Sequence, residues 1–221
     1  MTPIRIFGGT TVARGVLFIG GAGPAPSFLR HFLRPDDIVC AADSGLDAAL
    51  AAGIRPHGVV GDMDSLSDTF LLADFPADAV ETHPEDKDHT DTELGLAWLE
   101  RRGAKDIALI GGGEGRIDHT LALIGLFGNP SAPDRWYTAL EEIRPVAGNI
   151  RIEGVPGSAV SFAPVGPGPW AASSVGLRWE LDDVIWARGT VSLSNRLVES
   201  TATVDVSEGI LLVIRPLQAI R

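Results

Sequence analysis

DIVCAADSGLDAALAAGIRPHGVVGDMDS, residues 37–65, decides the fold. It holds two short apolar runs, IVCAA and GVV, and each closes on an aspartate, Asp43 and Asp62. Between them SGLDAALAAG (44–53) has the small residues of a close-packed helix, ended by Gly53. Apolar runs without polar alternation are what strands buried on both faces look like. Strand, helix and strand in so short a stretch predict a βαβ unit with parallel strands.

The same alternation extends in both directions. GVLFIGG (15–21) reads as a preceding strand and PSFLRHFL (26–33) as the helix that follows it. DAVETHP (78–84) and DIALIGGG (106–113) read as a fourth and a fifth strand. HTDTELGLAWLERRG (89–103) is the clearest helix, with Thr90 and Glu93 spaced as a capping box, Arg101 and Arg102 in the last turn, and Gly103 as the stop. IDHTLALIGLFG (117–128) is a further helix. From about Val146 the pattern changes to period two in SAVSFAPV (158–165), GLRWEL (176–181), TVSLSN (190–195), TATVDV (201–206) and GILLVIRP (209–216). These predict a compact antiparallel β unit, with RWYTALEEIRPVAG (135–148) as the bridging segment.

Composition removes several function classes. The chain has 221 residues and a formal net charge of −11. A nucleic-acid binder needs a basic face to displace phosphate counterions, and no Lys/Arg cluster is present, so no nucleic-acid partner is expected. No apolar stretch approaches the ~20 residues of a membrane helix, so no membrane partner is expected either. The apolar start of the chain is broken by glycines and reads as a strand rather than a signal peptide. A single cysteine, Cys40, excludes an internal disulfide. A cytoplasmic setting is the expectation.

Ligands of open α/β sheets bind beyond the carboxyl ends of the strands. Asp43, Asp62 and Asp64 fall there, and so do Asp86, Asp88 and Asp91 after strand four and Gly111, Gly112 and Gly113 after strand five. Asp62 and Asp64, two residues apart in a turn, suit a hard cation such as Mg2+, which takes oxygen ligands and shares them with phosphates. Taken alone, Asp-x-Asp is also an ordinary solvated turn or helix cap. Asp86, Asp88 and Asp91 crowd together ahead of a helix, where repulsion calls for a cation or for Lys87. GGGEGRIDHT (111–120) lets backbone approach a phosphate at a helix N-terminus and supplies Arg116, with Asp118 and His119 following; a plain glycine turn remains the alternative. No P-loop, dinucleotide fingerprint, nucleophile elbow or zinc spacing is present.

Four segments in order, AADSGLDAALAAGIRPHGVVGDMDSL (41–66), DKDHTDTELGLAWL (86–99), GGGEGRIDHTLA (111–122) and a β-rich tail with SVGLRWEL (174–181) and SLSN (192–195), closely resemble the thiamine pyrophosphokinase family. The resemblance implies a parallel-sheet, Rossmann-like α/β catalytic domain over residues 1–145. A C-terminal antiparallel β-sandwich over 146–221 would bind thiamine. It implies a homodimer with active sites at the interface, and transfer of the diphosphate of ATP to thiamine, giving thiamine diphosphate and AMP. Carried over residue by residue, Asp43, Asp62, Asp64, Asp88 and Asp91 are the expected metal set. Asp62, Asp64, Asp91 and Arg116 are the expected catalytic set; the attack of an alcohol on phosphorus calls for one carboxylate to orient or deprotonate it, and among these acids Asp91 is the candidate. Asp43, Asp88, Thr90, Gly112, Asp118, Trp179, Ser192 and Ser194 are the expected substrate contacts, with Asn195 beside them. Ser44 and Asp47 depart from the family's Asp-Gly-Gly-Ala-Asn, Lys87 stands where some members carry Gln, and Arg178 replaces Lys beside Trp179. Read without the resemblance, Trp179 at period-two spacing between Leu177 and Leu181 is more often a core residue than a flat face for a heteroaromatic ring, and both readings stay open. The rivals are a pyrophosphokinase for another alcohol such as a pterin, a phosphatase with Asp62 as nucleophile, and a sensor without turnover.

Overall fold

The structure, a computed structural model, describes residues 13–86 and 88–217. Lys87 and the first twelve residues, on which two of the readings above fall, lie outside them. Strands β1 (Ala13–Phe18), β2 (Ile38–Ala42), β3 (Gly58–Gly61), β4 (Val80–Thr82), β5 (Ala104–Ile110) and β6 (Arg135–Tyr137) form a parallel sheet in the order β6-β5-β1-β2-β3-β4. Helices α1 (Pro26–Phe32), α2 (Gly45–Ala51), α3 (Asp91–Arg101) and α4 (Ile117–Leu126) connect them. The chain winds outward from β1 to β4, and α3 then carries it back to β5 on the other side of β1. The gap between β1 and β5 is therefore the topological switch point, where such sheets bind ligands.

Period-two geometry explains the unbroken apolar runs. Leu17, Cys40, Val60 and Leu109 point to the face covered by α3 and α4, where they meet Leu96, Trp98, Leu99 and Leu123. Val16, Phe18, Val39, Ala41, Val59 and Ile110 point to the opposite face and meet Leu29 of α1 and Leu46 and Ala49 of α2. The capping box of α3 is formed: the Thr90 Oγ1 accepts from the Glu93 N–H at 3.3 Å, and the Glu93 carboxylate accepts from the Thr90 N–H at 2.8 Å. At the start of β1, Arg14 is buried against Asp37, with Nε–Oδ1 at 2.8 Å and Nη2–Oδ2 at 2.5 Å. Its Nη2 also donates to the Phe32 carbonyl, tying the end of α1 to the sheet.

The remaining strands continue the same hydrogen-bonded path in antiparallel fashion. They are β7 (Glu141–Glu153), β8 (Ala159–Val165), β9 (Ala171–Val175), β10 (Ser192–Arg196) and β11 (Thr201–Pro216). β11 pairs with β7 along its length, with β9 through its first half and with β8 through its second, and its register shifts between Val206 and Leu211. That shift bends the sheet over a separate core of Ile152, Val160, Phe162, Val204, Leu211 and Val213. The fold class expected from the sequence is the one found: a parallel α/β sheet followed by antiparallel β layers.

Four local readings are corrected. The segments 201–206 and 209–216 are one bulged strand rather than two. The bridging segment 135–148 holds β6 and, after residues 138–140, the start of β7, which crosses residue 145 without a break. Residues 171–175 form β9, which the sequence reading left out. GLRWEL is not a strand: only Leu177 makes an isolated bridge, to Leu197. Here Gly176 has φ +96°, and Glu180 turns back to accept from the Gly176 N–H at 3.0 Å and from the Ser174 hydroxyl, which folds the segment on itself.

Candidate active site

A cleft of about 730 Å³ opens over the carboxyl ends of β1, β2, β3 and β5, at the switch point. Asp43, Asp62, Asp88, Thr90, Asp91, Gly112 and Arg116 all line it. Carboxylate oxygens of Asp43, Asp62 and Asp64 lie within 4.8 Å of one another. Asp91, in the first turn of α3, lies beside Asp43 but outside that group. A side chain at Gly61 would stand 3.0 Å from Asp91 Oδ1 and 3.4 Å from Asp43 Cβ, so these two aspartates meet over the bare end of β3.

The backbone here holds uncommon conformations. Asp43 has φ +47° and Met63 φ +66°, in the left-handed region that non-glycine residues avoid at a cost of ~1–2 kcal/mol each. Packing holds them. The Asp43 N–H donates to the Val60 carbonyl at 3.0 Å, and Met63 is buried in the α1/α2 core. The turn lets Asp62 and Asp64 approach Asp43 from below: the Asp64 N–H donates to Asp62 Oδ1 at 3.3 Å, and the Ser65 hydroxyl to Asp64 Oδ1 at 2.9 Å. Burial pushes the Asp43 carboxyl above the usual range, Ser44 and Ser65 draw it back, and Asp91 adds to the rise. Asp43 Oδ1 is buried with no hydrogen-bond partner among the described residues. A buried carboxylate oxygen with no donor, inside a cluster of three acids, is the donor set a hard divalent cation completes.

The opposite wall is the glycine run. Gly111, Gly112 and Gly113 donate their N–H groups to the carbonyls of Tyr137, Gly20 and Ala22. Gly112, at φ +72°, therefore offers the cleft a bare Cα rather than a hydrogen-bond donor. Arg116 is the N-cap residue of α4 and lines the cleft. Its Nε and Nη2 hold the Asp118 carboxylate at 3.1 and 2.5 Å. Arg116 keeps that carboxyl at about 2, far below its ordinary value. Asp118 faces Arg116 and is not itself on the cleft wall. Glu85 and Glu114 also line the cleft and escaped the sequence reading, since an isolated glutamate in a loop carries no spacing signal.

The remaining three expected contacts lie elsewhere. No residue beyond Asn129 lines the cleft, so Trp179, Ser192 and Ser194 are not brought to it within one chain. The core reading of Trp179 is overturned: its side chain is 54% exposed, with the Arg178 guanidinium 4.8 Å over the ring. Ser192 and Ser194 belong to β10, whose register shifts between Ser192 and Asn195, with Ser194 at φ +54°.

Comparison with known proteins agrees with this geometry. Residues 29–134 match the model of the thiamin pyrophosphokinase catalytic domain, and residues 149–211 that of the thiamin pyrophosphokinase vitamin B1 binding domain. Together they take in about three quarters of the chain. A sequence search of curated proteins returns no match. Among solved structures, the chain is similar to thiamine pyrophosphokinase from Bacillus subtilis, with 25% identity over 93% of this chain and 100% of that one and a TM-score of 0.76. It is similar to thiamin pyrophosphokinase from Geobacillus thermodenitrificans, with 26% identity over 93% and 98% and a TM-score of 0.72. The yeast enzyme, at 18% identity over 95% and 88% with a TM-score of 0.66, shares the fold. With both halves matched in order and the acidic cleft assembled at the switch point, the chain belongs to the thiamin pyrophosphokinase family.

Proposed function

We propose the following division of labour for the reaction of this family, transfer of the diphosphate of ATP to the hydroxyl of thiamine with release of AMP. The acidic cleft of residues 1–145 takes the triphosphate of ATP, and residues 146–221 supply the thiamine-binding surface. Asp43, Asp62, Asp64, Asp88 and Asp91 would hold Mg2+, which when bound would neutralise phosphate charge. The observation that carries this reading is the convergence of Asp43, Asp62 and Asp64 around a buried oxygen that lacks a donor. Arg116 turns from Asp118 to the phosphates and offsets charge that develops during transfer. Thr90 and Gly112 border the path of the nucleotide. The thiamine hydroxyl oxygen attacks the β-phosphorus as the bond from that phosphorus to the α-phosphate oxygen breaks. AMP leaves with that oxygen, and the hydroxyl proton passes to Asp91.

Trp179, Ser192 and Ser194 are the proposed contacts to thiamine, with the exposed indole face receiving the heteroaromatic ring. Because they lie off the cleft of their own chain, we place them over the cleft of a second copy, which makes the enzyme a homodimer. The apolar stripe of α4 supports this. Ile117 is 72% and Leu121 62% exposed, one helical turn apart beside the cleft. A buried free thiol at Cys40 suits a reducing compartment, and a cytoplasmic location is part of the proposal. No helix among the described residues is long and apolar enough to cross a membrane.

The test is product analysis with ATP, Mg2+ and thiamine. Paired thiamine diphosphate and AMP, lost with chelator and in Asp62→Asn, is the expected result. Orthophosphate without AMP would instead point to the phosphatase. Mixing Asp62→Asn chains with Trp179→Ala chains, each deficient at thiamine concentrations near the wild-type KM, tests the shared site. With free exchange about a quarter of the sites regain activity, one in each heterodimer; no recovery would place both residues in the same chain's site.

A further inference from the structure

Asn195 is wholly buried, yet the residue it serves is on the surface. Its Nδ2 donates to the Trp179 carbonyl at 2.6 Å, and its Oδ1 accepts from the N–H groups of Trp179 at 3.2 Å and Arg196 at 2.8 Å. One side-chain amide thus saturates both backbone groups of Trp179, taking the place of a neighbouring strand. The surrounding backbone is paired in the ordinary way: Arg178 N–H donates to the Arg196 carbonyl at 2.9 Å, and Val198 N–H to the Gly176 carbonyl at 2.9 Å. The left-handed turn at Ser194 and the register shift of β10 aim the Asn195 side chain inward. The Trp179 ring, half exposed, has little core packing to hold it. Its backbone is therefore what sets its place, and Asn195 sets the backbone.

We propose that Asn195 is a positioning residue for the acceptor substrate: it holds Trp179 so that the indole face is presented to an incoming flat, cationic heteroaromatic ring, and it does not touch that ring itself. This rests on the reading of Trp179 as a thiamine contact. Side-chain amides usually act at binding sites as direct hydrogen-bond partners. Here all three donor and acceptor contacts are with backbone, and the side chain is sealed from solvent. Preorganisation of this kind lowers the cost of ordering the binding surface.

The test is a double-mutant cycle on the full-length enzyme, read as KM for thiamine, KM for ATP and Tm. Asn195→Ala should raise the thiamine KM by about tenfold while the ATP KM stays unchanged, because misplacing a contact group weakens binding at that group alone. In a Trp179→Ala background the same substitution should cause no further rise. Effects that multiply would mean that Asn195 contacts thiamine directly, and would overturn the proposal while leaving the Trp179 reading intact. A lower Tm with an unchanged thiamine KM would mean a structural role only and would overturn it too. An unchanged thiamine KM in Trp179→Ala alone would sink the reading and the inference together. If Asn195→Ala does not fold, Asn195→Asp serves: it keeps the acceptor for Trp179 and Arg196 and removes the donor to the Trp179 carbonyl.

Discussion

Gly61→Ala probes the meeting of two aspartates without replacing either. Gly61 ends β3 at φ +143°, a conformation only glycine adopts freely. Its backbone cannot swing aside to relieve a side chain. The Gly61 carbonyl accepts from the His83 N–H at 2.9 Å, and the preceding Val60 carbonyl from the Asp43 N–H at 3.0 Å. An added methyl would stand 3.0 Å from Asp91 Oδ1, a few tenths of an ångström inside ordinary contact. Two costs follow. Backbone strain lowers stability by ~1–3 kcal/mol. The Asp91 carboxylate is pushed away from Asp43, and Asp62, the next residue, shifts with the strand end. A displacement approaching 1 Å at a reacting group costs ~10²-fold in rate, and a shift of a few tenths costs less, so kcat/KM should fall by roughly 10- to 100-fold. Chemical denaturation gives the first number and coupled AMP detection the second, at temperatures where the variant stays folded. Wild-type activity in a Gly61→Ala protein that is destabilised as expected would refute the convergence of Asp43 and Asp91 over this residue.

Other outcomes follow from the same structure. A methyl group at Gly58 would overlap the Trp98 ring in the α3 core, so Gly58→Ala should destabilise by ~1–3 kcal/mol or more in urea unfolding while leaving the substrate KM values of the folded fraction unchanged. Arg14→Met strands Asp37 as a buried charge and should cost ~3–5 kcal/mol, with much of it recovered in Arg14→Met/Asp37→Leu; thermal and urea unfolding of the wild type and these two variants decides this. Burial pushes the Cys40 thiol up to about 12, so it stays protonated in the native state and should resist thiol reagents at pH 8 until the protein unfolds. The sign for stability is fixed by the same shift: above the unfolded thiol's ordinary range only the unfolded chain ionises. Native stability should then fall by ~1.4 kcal/mol per pH unit from this group up to about pH 12, a slope that Cys40→Ala removes.

Much of this protein was legible along the chain because its information is local. Apolar runs ending in Asp43 and Asp62 announce strands buried on both faces, and the Thr90–Glu93 spacing announces where α3 begins. Parallel connection then sends all strand ends to one edge, so the acids could be grouped before any coordinate was known. Local pattern failed where partners are distant. GLRWEL alternates like a strand, yet Glu180 folds it back onto Ser174 and Asn195 takes up the Trp179 backbone, turning the indole outward. Gly111–Gly113 read as backbone that a phosphate can approach closely, and only the structure shows that their own N–H groups are committed to Tyr137, Gly20 and Ala22. Residue type and spacing alone determined the α/β class, the helix caps and the candidate acids, because each depends on neighbours a few positions away. The tertiary structure decided that Asp43 and Asp91 meet over Gly61, that Trp179 is outside the core, and that the tail lies off its own chain's cleft. Those outcomes depend on contacts between residues far apart in sequence, which no local pattern encodes.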